Sequence, residues 1–191
     1  MDFHGSALRR VLAFIFLVLS PVNGDVSYSV PEEMKRGSAI GNIAKDLGLD
    51  LGRLSARKAR IDTEDNSVKY CGLNLNTGEL IVQERIDREA LCEKRASCVL
   101  KQELVLENPL ELHRISIHVL DINDNSPQFK EESIKLEISE SAFKGARFLL
   151  DEAHDADIGQ NTVQGYTLQQ NDHFKLNVKT KTSNQNIVNY Y

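Results

Sequence analysis

The stretch DINDNSPQF, residues 121 to 129, ends a β-patterned run and stops the sheet to which that run belongs. Ile115, Ile117 and Val119 alternate with Ser116 and His118, the period-two pattern of a half-buried strand. Pro127 has no N–H to donate, so no ladder continues through it. Between the apolar run and the proline, Asp121, Asn123, Asp124 and Asn125 place four oxygen-bearing side chains among five residues. A turn needs one or two such residues. A hard cation needs many oxygens in a small volume.

Upstream of this stop the chain reads as β almost throughout. Val26, Tyr28 and Val30 alternate, and RKARI, SVKYCGLNL, ELIVQE, SCVLKQELVLEN and LELHRISIHVLDIN follow as short strand-like runs. The turn NTG at 76–78 joins SVKYCGLNL to ELIVQE as a hairpin. Within AIGNIAKDLGL, Ile40, Ile43 and Leu47 recur at helical spacing and predict one helical turn. About seven short strands over roughly 100 residues describe an antiparallel β-sandwich. After Pro127, FKEESIKLEISES repeats the opening pattern, an alternating strand ending at Glu140 as VSYSVPEE ends at Glu32 and Glu33. This self-similarity at an interval of about 108 residues predicts tandem domains, 25–127 and 128–191, the second incomplete.

Residues 1–24 carry Arg9 and Arg10, then the apolar run VLAFIFLVL, then Pro21 and Gly24. That order predicts a secretory signal peptide cleaved after Gly24. The apolar run is too short to cross a bilayer, which needs about 20 residues. No later segment has the composition of a membrane span, so the expectation is a chain that is secreted or a fragment of a longer one. Secretion favours pairing among Cys71, Cys92 and Cys98. The spacing CEKRASC favours Cys92 with Cys98, which leaves Cys71 as a small apolar residue in a strand.

Other oxygen clusters flank the DINDN stretch. VPEE ends the first strand, and IDRE places Asp87 and Glu89 two apart, on one side of an extended segment. HDADIGQN does the same with Asp155 and Asp157. Scattered acidic groups at strand ends repel one another unless a cation neutralises them. Calcium accepts about six to eight oxygens in irregular geometry, whereas magnesium demands a stricter octahedron. No cluster of Cys and His offers zinc a home. An EF-hand loop is excluded, because Ser126 stands where its glycine is required and the flanks are strands. A polar linker that binds nothing would also account for DINDNSP taken alone.

PEE, DRE, DINDNSPQF and DADIGQN, in that order and spacing, resemble a cadherin repeat joined to the start of the next. LNLNTGELIVQERIDREALC and the CEKRASC loop narrow the resemblance to the clustered protocadherins, over residues 1 to 182. The fold this implies is all-β, tandem Greek-key sandwiches of seven strands with the second truncated. The resemblance also implies a Ca2+ cage between the repeats. Glu32 (rather than Glu33), Asp87 and Glu89 would bind from the first repeat. Asn123 and Asp124 would bind from the linker by side chain, and Ile122 and Asn125 by carbonyl. Asp155 and Asp157 would close the cage from the second repeat, helped by a carbonyl near Gln164. Asp121 would orient the loop, Asn161 would shape the turn below, and Glu140 would serve a next junction. A further aspartate of the family, from a later strand, has no counterpart here, which leaves the outermost ion short of a ligand.

The same resemblance implies calcium-dependent cell adhesion. The partner would be the same isoform on an opposing cell, with other protocadherins in cis, at the extracellular face of the plasma membrane. The chain has no tryptophan, so adhesion by exchange of an N-terminal tryptophan is excluded. A secreted decoy that blocks the full-length adhesion protein is the alternative. Nucleic acid is an unsuitable partner, since 23 basic residues face 28 acidic ones. Enzymatic activity and a small-molecule substrate are not expected. His113 and His118 fall on opposite sides of a strand, and His154 stands beside Asp155 without a recognisable nucleophile motif. Asp87 and Glu89 could pair as hydrolase carboxylates, but nothing nearby suggests a sugar groove.

Overall fold

The computed structural model describes residues 25–63 and 68–178 in full, and the backbone of 186–190. The signal peptide expected over 1–24 lies outside the described residues. Among the described residues, seven strands precede Pro127: β1 (Val26–Pro31), β2 (Ala39–Asn42), β3 (Arg60–Thr63), β4 (Cys71–Asn74), β5 (Glu79–Val82), β6 (Val99–Leu106) and β7 (Glu111–Leu120). They form a four-stranded sheet in the order β1-β7-β6-β3 and a three-stranded sheet in the order β2-β5-β4. Strand β1 runs parallel to β7, with Val26 beside Ile115 and Pro31 beside Leu120. Pro31 sits at the end of an edge strand, where its missing N–H costs the ladder nothing.

The core lies between these sheets. On β7, Ile115, Ile117 and Val119 are buried, and on β6 Leu104 and Leu106 are buried beside them. Leu80 of β5 and Cys71 of β4 face them from the other sheet. Burying each such aliphatic side chain contributes about 1.5 to 3 kcal/mol. Two helical turns seal one end, α1 (Ile43–Asp46) and α2 (Leu51–Leu54), contributing buried Ile43, Ala44 and Leu54. The expected turn in AIGNIAKDLGL is therefore α1, capped by the Asn42 side chain on Lys45 N. The NTG hairpin is also present, with Asn74 opposite Glu79.

Two stretches differ from the sequence expectation. IDRE is not extended. Asp87 is the N-cap of a helical turn, α3 (Arg88–Cys92), its Oδ1 accepting from Ala90 N at 2.8 Å. Aspartate favours that position because a short acceptor there satisfies an orphan amide. The disulfide joins Cys92, at the end of α3, to Cys98, just before β6. The second difference is FKEESIKLEISES, which forms no strand. In the first sandwich the equivalent strand, β1, is held by its parallel partner β7, which begins at Glu111, 85 residues after Val26. Among the described residues, no strand pairs with FKEESIKLEISES in that way. The described strands after Pro127 are β8 (Arg147–Leu150), β9 (Phe174–Val178) and β10 (Asn186–Tyr190), with β10 antiparallel to both others.

Gly78 ends the β4–β5 turn at φ +72, a conformation that side chains with a Cβ disfavour. A Cβ there would stand 2.4 Å from Ala44 Cβ and 2.6 Å from Leu51 Cδ2. Gly78→Ala is expected to destabilise the chain by about 1 to 3 kcal/mol, read as a lower denaturation midpoint. An unchanged midpoint contradicts this packing.

Candidate metal centre

Glu32 follows β1 directly and is almost fully buried, at 2% exposure. Its Oε2 accepts from Arg88 N at 2.6 Å and its Oε1 from Ile122 N at 3.0 Å. One carboxylate thereby ties the start of α3 to the linker after β7. Glu33 stands at φ +60 and its Oε2 pairs with Arg85 Nε. Of the neighbouring glutamates, Glu32 shares a carboxylate group with Asp87 and Glu89, while the charge of Glu33 is felt at Asp124.

Glu32, Asp87 and Glu89 place carboxylate oxygens within 4.8 Å of one another, and so do Glu89, Asp124 and Asp157. Glu89 is common to both groups. Although α3 replaces the expected extended segment, the N-cap Asp87 and the first-turn Glu89 still converge on Glu32. From the segment after Pro127, Asp155 and Asp157 are both buried, and Asp155 Oδ1 accepts from Asp157 N at 3.1 Å. Asp155 Oδ2 is buried with no hydrogen-bond partner. A carboxylate oxygen left so is costly unless a cation or water satisfies it.

The linker residues divide. Asp124 joins the second carboxylate group, and Asn123 lines a cleft of about 430 Å³ with Asp155, Asn161 and Gln164. The carbonyl of Ile122 accepts from Asp124 N at 3.0 Å. The side chain of Asn125 donates to Asp124 Oδ1 and to Asp157 Oδ1, each at 2.8 Å, so its amide bridges the two carboxylates. Asp121 stays outside both groups and accepts from Ile158 N at 3.2 Å and from Asn161 Nδ2 at 2.7 Å. Gln164 Nε2 donates to the carbonyls of Gly159 and Thr162.

Crowding shows in the proton affinities. Burial, then the nearby charge of Glu32, raises Glu89 to about 7 despite its hydrogen bond from Arg88. Asp124 is also raised, first by desolvation and then by Glu32, Asp157, Glu33 and Asp87. The donors are all oxygens, they are mutually repulsive, and one is a buried orphan. This set fits a hard divalent cation such as calcium. Sequence reasoning missed Arg88, which is 1% exposed and donates from Nη1 to Glu89 Oε1 at 3.2 Å. A charged residue in a polar stretch carries no sign of burial, and only the fold reveals it.

A family model described as Cadherin-like matches residues 25–108. The chain is 49% identical over 159 residues to Protocadherin gamma-C5 of Homo sapiens, covering 83% of this chain and 17% of that protein. It is 43% identical over 181 residues to Protocadherin gamma-B4 of Homo sapiens, covering 93% of this chain and 19% of that protein. The chain therefore spans less than a fifth of the curated relatives it matches. A solved structure of mouse clustered PcdhgC3 EC1-3 superposes with a TM-score of 0.82 at 44% identity, covering 86% of this chain and 53% of that one.

In chelator-treated protein, Glu89 should titrate near the raised value of about 7, against an ordinary 4.5. The folded state then binds an extra proton between those values, so this group's contribution to stability falls as pH rises from the ordinary value through the raised one. Glu89→Gln should remove that part of the slope. An NMR titration of the Glu89 carboxyl carbon checks it, and an ordinary midpoint contradicts it.

Proposed function

Because the chain belongs to the clustered protocadherins of the cadherin superfamily, we propose that its carboxylate cluster is a Ca2+ site that stiffens the joint between two extracellular repeats and so serves cell adhesion. The repeats are taken as 25–127 and 128–191, after a leader over 1–24 that directs the chain into the secretory pathway. What supports the reading is the sharing of Glu89 by two acidic groups, one of which contains Asp157 from beyond Pro127. Glu32, Asp87, Glu89, Asn123, Asp124, Asp155 and Asp157 would hold the metal by side chain, and Ile122 and Asn125 by carbonyl. Bound calcium would supply the positive charge that offsets the repulsion among these carboxylates.

The protein's own part is to hold the oxygens in place. Glu32 is fixed by two backbone amides, Asp87 by its capping bond, and Asp157 by the Asn125 amide. Side chains held this way lose little further freedom on binding. A joint drawn from α3, the linker and the Asp155–Asp157 stretch resists bending, because any swing separates oxygens that share one charge. In the whole protein, the stiffened repeats would present a surface to the same isoform on an opposing cell, and to other protocadherins in cis. That work would be done at the outer face of the plasma membrane. No described helix is long and apolar enough to cross a membrane.

Extracellular calcium modules bind at about 0.1 to 1 mM. Calcium at tenfold its Kd should stabilise the chain by about 1.4 kcal/mol per independent site. Asp124→Ala should abolish most of that rise in melting temperature. Equal melting temperatures with calcium and with chelator refute the reading. Proteolysis within 121–127 should also accelerate on chelation, and equal cleavage rates count against a stiffened joint.

A further inference from the structure

Polar ties outside the two carboxylate groups also connect the seven-stranded sandwich to the segment after Pro127. Asp121, directly after β7, faces three donors. Ile158 N lies 3.2 Å from Oδ1, Asn161 Nδ2 lies 2.7 Å from Oδ2, and Arg88 Nη1 lies 3.5 Å from Oδ1. The first two belong to the later segment and the third to the sandwich. The buried guanidinium of Arg88 also donates to the carbonyl of Glu93 at 3.2 Å and to that of Arg95. Both carbonyls sit in the loop closed by Cys92 and Cys98. Lys94 of the same loop donates from Nζ to the backbone carbonyl of Asp155. The far end of the loop is pinned to β7, where Val119 N donates to Cys98 O at 2.9 Å.

We propose that the disulfide-closed loop, Arg88, Lys94 and Asp121 form a clasp that joins the sandwich to the following segment without a metal. Each part has a distinct task. The disulfide confines the loop, so that Lys94 reaches Asp155 at a smaller entropic cost than from an open loop. Arg88 fills the concave side of the loop with donors and holds Asp121 by charge. Asp121 in turn orients the turn that begins at Ile158. Its carboxylate accepts from both sides of the joint, and charge-assisted bonds of this kind are stronger than neutral ones. The clasp uses the backbone carbonyl of Asp155 and does not engage that residue's carboxylate. It sets a resting orientation before any cation is held.

The inference goes beyond the calcium reading, and its test is run with calcium removed, so failure of one is separable from failure of the other. Amide hydrogen exchange is followed on the full chain in chelator, at Ile158, whose N–H meets Asp121, and at Leu104 in the core of β6. Ile158 is expected to be protected in the native chain. In Lys94→Ala, and in the double variant Cys92→Ser with Cys98→Ser, it should exchange about tenfold faster, the effect of losing one charge-assisted hydrogen bond, while Leu104 is unchanged. The clasp is refuted if Ile158 is unprotected in the native chain, or if both variants leave its rate unaltered. Should the double variant also accelerate Leu104, its fold is lost and Lys94→Ala decides alone, on the same two readings.

Discussion

The buried carboxylate of Glu32 organises the end of the sandwich at which the candidate site lies. Removing an ionised group from water is costly, and here two backbone amides from distant stretches, Arg88 N and Ile122 N, compensate it. Because both oxygens are engaged, the end of β1, the start of α3 and the linker meet at one point. Asp87, Glu89 and Asp124 are then brought within reach by the short path of the chain on either side. Their mutual repulsion, visible in the raised proton affinities of Glu89 and Asp124, follows from that convergence.

The two parts of the chain are ordered by different forces. Every buried large apolar side chain among the described residues falls between Val30 and Val119, where two sheets face each other. Beyond Pro127 the described buried residues are Asp155 and Asp157, while Phe129, Phe143, Leu149 and Leu168 are exposed. Order near the joint therefore rests on polar ties made to the first sandwich rather than on a core of its own. This arrangement makes the joint sensitive to charge, since hydrogen bonds to carboxylates and their neutralisation carry most of the organisation there.

Much of this could be read in advance. The alternation of Ile115, Ile117 and Val119, the NTG turn and the helical spacing in AIGNIAKDLGL each match an element of the structure. Local patterns report local structure because the burial of one face repeats with the period of the backbone. The reading of IDRE as extended failed for a specific reason. Two carboxylates at alternate positions satisfy a strand pattern, yet Asp87 is also a good cap, and the residues REALC favour a helical turn. The strand expected in FKEESIKLEISES failed for another. Its pattern is correct, but a strand needs a neighbour, and the neighbour that β1 finds in β7 has no equivalent for this stretch among the described residues.

By itself, the sequence determined most strands of the first sandwich, the break at Pro127, and which residues carry oxygen, because backbone chemistry and side-chain identity are local properties. Only the tertiary structure decided which of those oxygens meet. It brought Glu32 to Asp87 and Glu89, made Glu89 common to two groups, and buried Arg88 beside them. Contacts between residues as distant as Glu32 and Ile122 depend on how the sheets stack, and no local pattern carries that information.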